Sequence, residues 1–109
     1  MLRDDASLLD IYQAGQNVLK YSEGLKQEEL AIDEMRTSAI LFQVLIIGEA
    51  TKRLSTEFRA QHPEIPWSDM AGMRDILAHQ YDQLDFDLMW RVMHESVPDM
   101  LSAIEPLLP

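Results

Sequence analysis

Four side chains that can transfer protons or bind anions are crowded into one short segment of the chain. Arg74, Asp75, His79 and Tyr81 all lie within the run RDILAHQY. Histidine has an ordinary pKa near neutrality, so it can serve as a general base or a general acid. Arginine stays charged and can bind two oxygens of a phosphate at once. The segment is therefore the candidate site for acid–base chemistry or for phosphate binding.

Helix geometry restricts how these residues can meet. On an ideal helix Arg74 and Tyr81 share a face, whereas His79 lies about 140° round the axis from Arg74. Arg74 and His79 can act at one point only if the helix ends near His79, or if a second subunit supplies one of the two. The alternative interpretation is structural: an Arg74–Asp75 surface pair, with His79 and Tyr81 at a helix end.

The rest of the sequence offers little other chemistry. His62 stands in a connector before Pro63, and His94 follows the apolar position Met93, so both are interpreted as structural. No HExxH zinc motif, glycine-rich phosphate loop or GxSxG elbow occurs. Cysteine is absent, which excludes disulfides, thiolate metal sites and a thiol nucleophile. The sequence predicts neither a metal site nor a cofactor.

Composition and charge favour a small globular protein. The chain has 109 residues, of which 47% are hydrophobic, and we expect a single domain over residues 1–109. A net charge of -10 argues against a protein that coats nucleic acid non-specifically, although it leaves room for a local basic cleft.

The longest apolar run, residues 39–47, is too short to span a membrane. No secretory leader is recognisable, so we expect a cytoplasmic protein.

The spacing of apolar residues and the positions of glycine and proline predict the helices that must position this segment. A first helix should run from residue 4 or 5 to about 23 and stop at Gly24, with a short helical turn over residues 26–30. Asp33 should cap a second helix that ends near residue 54. Ser55 or Thr56 should cap a short helix that ends near residue 61. A third main helix should run from residue 67 or 68 to about residue 78. Asp85 should cap the last helix, which should be kinked at Pro98. No strand-like alternation is visible. The predicted fold is all-α, an antiparallel four-helix bundle with short extra helical turns.

The second predicted helix is unusually apolar. Residues 39–47 are hydrophobic on nearly every side of the helix, apart from Gln43. Such a helix must be covered all round, and three other short helices leave part of its surface free. We therefore expect a homodimer, with Phe42, Leu45 or Ile46 in or near the contact.

The motif and its surroundings resemble the HepT-like proteins of the HEPN superfamily. The pattern Arg-x4-His-x-Tyr, formed by Arg74, His79 and Tyr81, is similar to the signature of that family, and Asp75 fits the polar residue that commonly follows the arginine. The similarity extends over nearly the whole chain. It includes the segments IIGEA with KRLS (residues 46–50 and 52–55), HPEIPW with MAGMR (residues 62–67 and 70–74), and residues 86–100 with Leu88, Trp90, Val92 and Pro98.

The resemblance implies a fold, an activity and a means of control. HepT-like proteins are all-α toxins of toxin–antitoxin pairs, and they act as homodimers that cleave RNA without a metal ion. Arg and His of both subunits line a composite cleft, which assigns catalysis to Arg74 and His79 and an auxiliary place to Asp75. The antitoxin, MntA, is a minimal nucleotidyltransferase that uses ATP to attach AMP to the motif tyrosine, here Tyr81. The substrate expected from the resemblance is RNA, either tRNA or mRNA.

The chemistry of RNA cleavage agrees with these residue types. A base must take the 2′-hydroxyl proton, an acid must protonate the leaving 5′-oxygen, and a fixed cation must stabilise the phosphorane. One His and one Arg are too few, and a two-fold axis doubles them. A second hypothesis is a non-catalytic helical adapter or substrate-binding subunit of a split nucleotidyltransferase, in which Arg74 and His79 only hold a phosphate. The two hypotheses differ in whether the isolated protein cuts RNA.

Overall fold

Helices account for most of the protein. The computed structural model describes residues 2–80 and 83–109, and for residues 76 and 78–80 it describes the backbone alone. The α-helices are α1 (Arg3–Tyr21), α2 (Glu34–Arg53), α3 (Thr56–Gln61), α4 (Trp67–Ala71), α5 (Met73–Leu77), α6 (Phe86–Arg91) and α7 (Val97–Ile104). Two short strands, β1 (Ala78–Gln80) and β2 (Gln83–Leu84), lie between α5 and α6. Short 3-10 helices cover Gln27–Ala31 and Glu105–Leu107.

α1 and α2 form an antiparallel pair. Asn17 of α1 donates a side-chain hydrogen bond to Gln43 of α2 over 3.2 Å, and the Asp4 carboxylate, near the start of α1, accepts from Ser55, just after the end of α2. The turn between them includes Gly24 at φ 74°, a conformation that glycine adopts without strain. The predicted stop of the first helix at this glycine is confirmed to within a few residues.

Side-chain caps begin three helices where the sequence predicts them. Asp33 accepts a hydrogen bond from the backbone N–H of Arg36 over 3.1 Å, at the start of α2. Ser55 accepts from the N–H of Phe58 over 3.1 Å, at the start of α3. Asp85 accepts from the N–H of Leu88 over 3.0 Å, at the start of α6. Each cap satisfies one of the N–H groups that have no partner within the helix.

The prediction of one continuous third helix is wrong, although its predicted end near residue 78 agrees with the observed end at Leu77. The helix breaks at Gly72, between α4 and α5, since glycine in a helix interior costs about 1 kcal/mol relative to alanine. The helix then ends at Leu77 and the chain continues into β1 rather than into coil. β1 and β2 pair antiparallel, with Ala78 opposite Leu84. Strands of two or three residues are too short to show alternation in a sequence, which is why they were not predicted.

The last helix widens just before Pro98, where the sequence predicts a kink. α6 is followed by a π-helical turn over Val92–Ser96, and α7 starts at Val97 with the proline in its first turn. Proline has no N–H to donate and its ring crowds the preceding turn, so the helix widens before it. The interruption therefore takes the form of a wide turn.

One hydrophobic core joins the helices. α1 packs against α2 and α7, α2 packs against α4 and α5, and α5 contacts α6. The largest fully buried side chains are Leu8, Ile11, Leu30, Ile40, Ile47, Leu54, Met70, Leu77, Met89, Met93 and Ile104. The all-α class is confirmed, with the short β1–β2 pair as an addition. Over the described residues, no helix is both long and apolar enough to cross a membrane.

Candidate functional site

Arg74 lies on α5 with its guanidinium group accessible. Its side chain is 45% exposed, and its Nη1 lies 3.5 Å from Oδ1 of Asp75. A surface ion pair of this kind contributes little to stability, about 0–1 kcal/mol, because water screens both charges. Asp75 therefore neutralises part of the charge of Arg74 but leaves it free to bind an anion. The structural interpretation of a surface pair and the functional interpretation of an available cation both fit this geometry.

The end of α5 meets one condition for bringing Arg74 and His79 together. The helix stops at Leu77, two residues before His79, and His79 lies in β1. The angle of about 140° that separates the two positions on a continuous helix does not apply once the helix has ended. The side chain of His79 and the whole of Tyr81 lie outside the described residues, so their assigned roles stay predictions.

The segment that carries His79 is held at both ends by backbone bonds. The N–H of Asp85 donates to the carbonyl of Leu77 over 3.0 Å and closes the β1–β2 hairpin at its base. Leu77 is fully buried in the core, and Asp85 also caps α6. The hairpin is thus anchored between α5 and α6.

Positive charge is scarce around this hairpin. The chain has 9 Lys and Arg residues, and only Arg74 and Arg91 lie beyond residue 60. Arg74 lies on the helix before the hairpin and Arg91 on the helix after it, and both are exposed. Within the described part of the chain, no group of three or more His, Cys, Asp or Glu side chains is arranged to hold a metal ion. Arg74 and Arg91 are therefore candidate phosphate contacts on the two helices that flank the hairpin.

His62 is a structural residue, as predicted. Its backbone carbonyl accepts a hydrogen bond from Nε1 of Trp67 over 2.9 Å, and its ring packs on Phe58 with centroids 4.8 Å apart. Nδ1 of His62 also lies 3.7 Å from the Glu64 carboxylate. These contacts tie the connector to the start of α4.

One side of α2 leaves apolar side chains uncovered. Met35 is 85% and Phe42 57% exposed, and Leu45 and Ile46 are half-buried. The four residues lie within one side of the helix, opposite the fully buried Ile40 and Ile47. We call Met35, Phe42, Leu45 and Ile46 the outer α2 stripe. It contains all three residues for which the sequence predicts a subunit contact.

Sequence reasoning missed one feature near the hairpin. The ring of His94 stacks on the indole of Trp90, with centroids 3.9 Å apart and planes at 31°. His94 is exposed, and the sequence predicts for it only a structural role. The i,i+4 spacing of two aromatic residues on a predicted helix was the available signal.

Comparison with known proteins assigns the chain to a family. Residues 11–107 match the family described as Ribonuclease HepT-like. A protein of Thermococcus cleftensis named "Probable ribonuclease HepT" is 34% identical over 100 residues, which cover 92% of this chain and 91% of that protein.

Two further relatives agree with this match. A protein of Methanocaldococcus jannaschii named as a candidate RNase is 32% identical over 100 residues, 92% of each chain. A candidate RNase of Caldanaerobacter subterraneus is 32% identical over 98 residues, 90% of this chain and 88% of that protein. No solved structure shows significant similarity to the chain.

Proposed function

The chain belongs to the ribonuclease HepT-like family, and we propose that it is a metal-independent endoribonuclease, the toxin of a toxin–antitoxin pair. The observation that carries the proposal is the end of α5 at Leu77, which frees the segment of His79 from the helix that bears the exposed Arg74. A histidine beyond the end of a helix can face the same phosphate as an arginine on that helix.

The proposed reaction is a transesterification at phosphorus. The 2′-oxygen of one ribose loses its proton to a histidine and attacks the adjacent phosphorus, while the bond from phosphorus to the 5′-oxygen breaks. A second histidine donates a proton to that leaving oxygen. The products are a 2′,3′-cyclic phosphate and a free 5′-hydroxyl. Arg74 stabilises the charge that develops on the phosphoryl oxygens.

A homodimer would supply the second histidine and the second arginine. The outer α2 stripe supports this part of the proposal, because its exposed Phe42 and Met35 form an apolar surface that another copy can cover. In the dimer, His79 and Arg74 of both subunits would line one cleft. Asp75 would hold Arg74 in place until phosphate displaces it.

Control by a second protein completes the proposal. A cognate MntA-type nucleotidyltransferase would transfer AMP from ATP to Tyr81, two residues from His79. The added phosphodiester would pair with Arg74, and the adenosine would block entry of RNA. Neutralisation would then require no refolding of the toxin.

Cleavage by the isolated protein tests the proposed activity. Purified protein should cut RNA in the presence of EDTA and leave 2′,3′-cyclic phosphate ends, and His79→Ala should abolish the cleavage while its helical circular dichroism stays unchanged. Arg36→Ala is the matched control for preparation and charge, since Arg36 is half-buried on α2 and pairs with Asp33. Cleavage that stops with EDTA or survives in His79→Ala would contradict the mechanism. A protein that binds phosphate but cuts nothing would instead support the adapter hypothesis.

A further inference from the structure

Trp90 and His94 form a ready-made aromatic stack on the surface of the bundle. Their centroids are 3.9 Å apart and their planes 31° from parallel, with Trp90 half-buried and His94 exposed. The indole is therefore the inner ring, and the imidazole lies over it toward solvent. A third flat ring could stack on the solvent-facing side of His94.

A hydrogen bond fixes the outer ring. Nδ1 of His94 lies 3.0 Å from the carbonyl oxygen of Trp90. A carbonyl oxygen can only accept, so the bond requires a hydrogen on Nδ1, and in the neutral ring Nε2 is then the free acceptor. His94 lies in the π-helical turn Val92–Ser96, a kind of wide turn that is frequent at functional sites. The ring is thus held before any ligand arrives, which lowers the entropy cost of stacking on it.

The stack lies on the helical segment that follows the hairpin of the candidate site. α6 begins directly after β2, and Trp90 is five residues beyond its cap Asp85, about 7–8 Å along the helix axis. Arg91 adjoins Trp90 in sequence, is exposed, and precedes His94 by three residues, so it shares the neighbourhood of the imidazole. Arg91 is thus a cation on the same helix as the stack.

We propose that Trp90 and His94 are a stacking platform for an unpaired nucleobase of the RNA substrate, with Arg91 beside the adjoining phosphate. The inference rests on the proposed ribonuclease function and names the form of RNA that it takes, a single strand. Single-stranded RNA is recognised by stacking of its exposed bases on aromatic rings and guanidinium groups. Stacking tolerates any base, since every base has a flat face. The platform therefore holds the strand in register without selecting a sequence.

Tryptophan fluorescence tests the platform directly. The chain has 2 tryptophans, and Trp67 is buried with its Nε1 bonded to His62, so quenching by an added strand reports on Trp90. The probe is a 2′-deoxy single strand of eight nucleotides, which cannot be cleaved, compared with an abasic strand of equal length and charge. We expect the base-containing strand to quench the emission and bind about tenfold more tightly than the abasic one.

Ring variants separate stacking from other effects of His94. His94→Gln should lose about tenfold in affinity for the base-containing strand, whereas His94→Phe, which restores a flat ring, should regain it. In cleavage assays His94→Gln should raise KM with kcat nearly unchanged, because the base contact lies beside the scissile bond and not on it. Trp90→Phe should abolish the quenching but retain most of the affinity.

Two results would overturn the platform. Equal binding of the abasic strand would mean that only charge attracts the nucleic acid. Emission that changes with protein concentration, and not with the strand, would assign the ring pair to a contact between copies of the chain. If the strand binds and quenches as expected but no RNA is cleaved, the platform stands and the proposed ribonuclease function fails.

Discussion

Gly48 of α2 packs so closely against Ala71 of α4 that a side chain at residue 48 would require Ala71 to shift by a few tenths of an ångström. A β carbon at residue 48 would lie 3.1 Å from the carbonyl oxygen of Ala71, tighter than ordinary van der Waals contact. That oxygen belongs to the backbone and cannot rotate aside as a side chain does. α4 ends at Ala71, and α5 with Arg74 begins at Met73. The missing side chain of Gly48 thus sets how closely the helices that carry the candidate site approach α2.

Gly48→Ala should therefore destabilise the protein. Overpacking costs about 1–3 kcal/mol, and the better helix propensity of alanine returns about 0.5–1 kcal/mol, so we expect a net loss in the free energy of unfolding. Gly72→Ala is the matched control, because a β carbon there would lie 3.6 Å from the Ser68 carbonyl oxygen, an ordinary contact. Urea unfolding followed by circular dichroism measures both. Equal stability of Gly48→Ala and the wild type would show that α4 moves away without cost.

The outer α2 stripe should hold the dimer together. Phe42→Asp places a charge in the middle of the stripe, and we expect it to be monomeric at micromolar concentrations where the wild type is a dimer. Leu19→Asp is the control, since Leu19 is an exposed apolar residue of α1 at 38% accessibility. Sedimentation velocity distinguishes the two states. A wild-type protein that stays monomeric at high concentration would contradict the proposed composite cleft.

Arg74 should act through the shape of its guanidinium as well as through its charge. Arg74→Ala should lower kcat for RNA cleavage by about 10²–10³, the usual loss when one group that stabilises transition-state charge is removed. Arg74→Lys keeps the charge but not the two-pronged contact, so an intermediate rate is expected. Single-turnover cleavage measures both variants, and the dichroism spectrum checks their fold. Wild-type rates in Arg74→Ala would assign the residue to its surface pair with Asp75.

Tyr81 should be the site of AMP transfer. With the cognate transferase and ATP, intact mass should rise by one or more AMP units, and peptide sequencing should locate them on Tyr81. Tyr81→Phe has no hydroxyl to accept AMP and should escape neutralisation while it keeps its fold. Tyr12 and Tyr21, the other tyrosines, serve as internal controls. Modification of either, or equal silencing of Tyr81→Phe, would place the switch elsewhere.

Asp4 should make stability depend on acidic pH. Its carboxylate accepts hydrogen bonds from the backbone N–H of Ser55 over 2.8 Å and from the hydroxyl over 2.7 Å, and these bonds lower its pKa in the folded state. A lowered folded pKa stabilises the fold above the ordinary value of about 3.9, and the contribution is lost as pH falls through the folded pKa. Asp4→Asn should therefore be less stable than the wild type at pH 7, with the difference shrinking toward pH 3. Thermal melts over this range measure it, with Asp10→Asn, an exposed position of α1, as the control. A difference independent of pH would mean that charge plays no part.

Local signals in the sequence determined where most elements begin. Asp33, Ser55 and Asp85 cap their helices as predicted, because a cap depends on a side chain and an N–H only three residues apart. Gly24 acts through its own backbone and follows the end of the first helix, as predicted. The sequence alone also contained the motif of Arg74, His79 and Tyr81, and this motif indicated the ribonuclease family.

Only the tertiary structure decided how the middle of the chain is divided. The sequence of residues 67–78 predicts one helix that ends in a turn, but beyond the break at Gly72 the backbone bond from Asp85 to Leu77 closes a hairpin where that helix ends. Which side of α2 is covered also depended on the position of α1 and α4, so that Ile47 is buried while Phe42 is exposed. These outcomes rest on contacts between residues far apart in the chain, which no local pattern records.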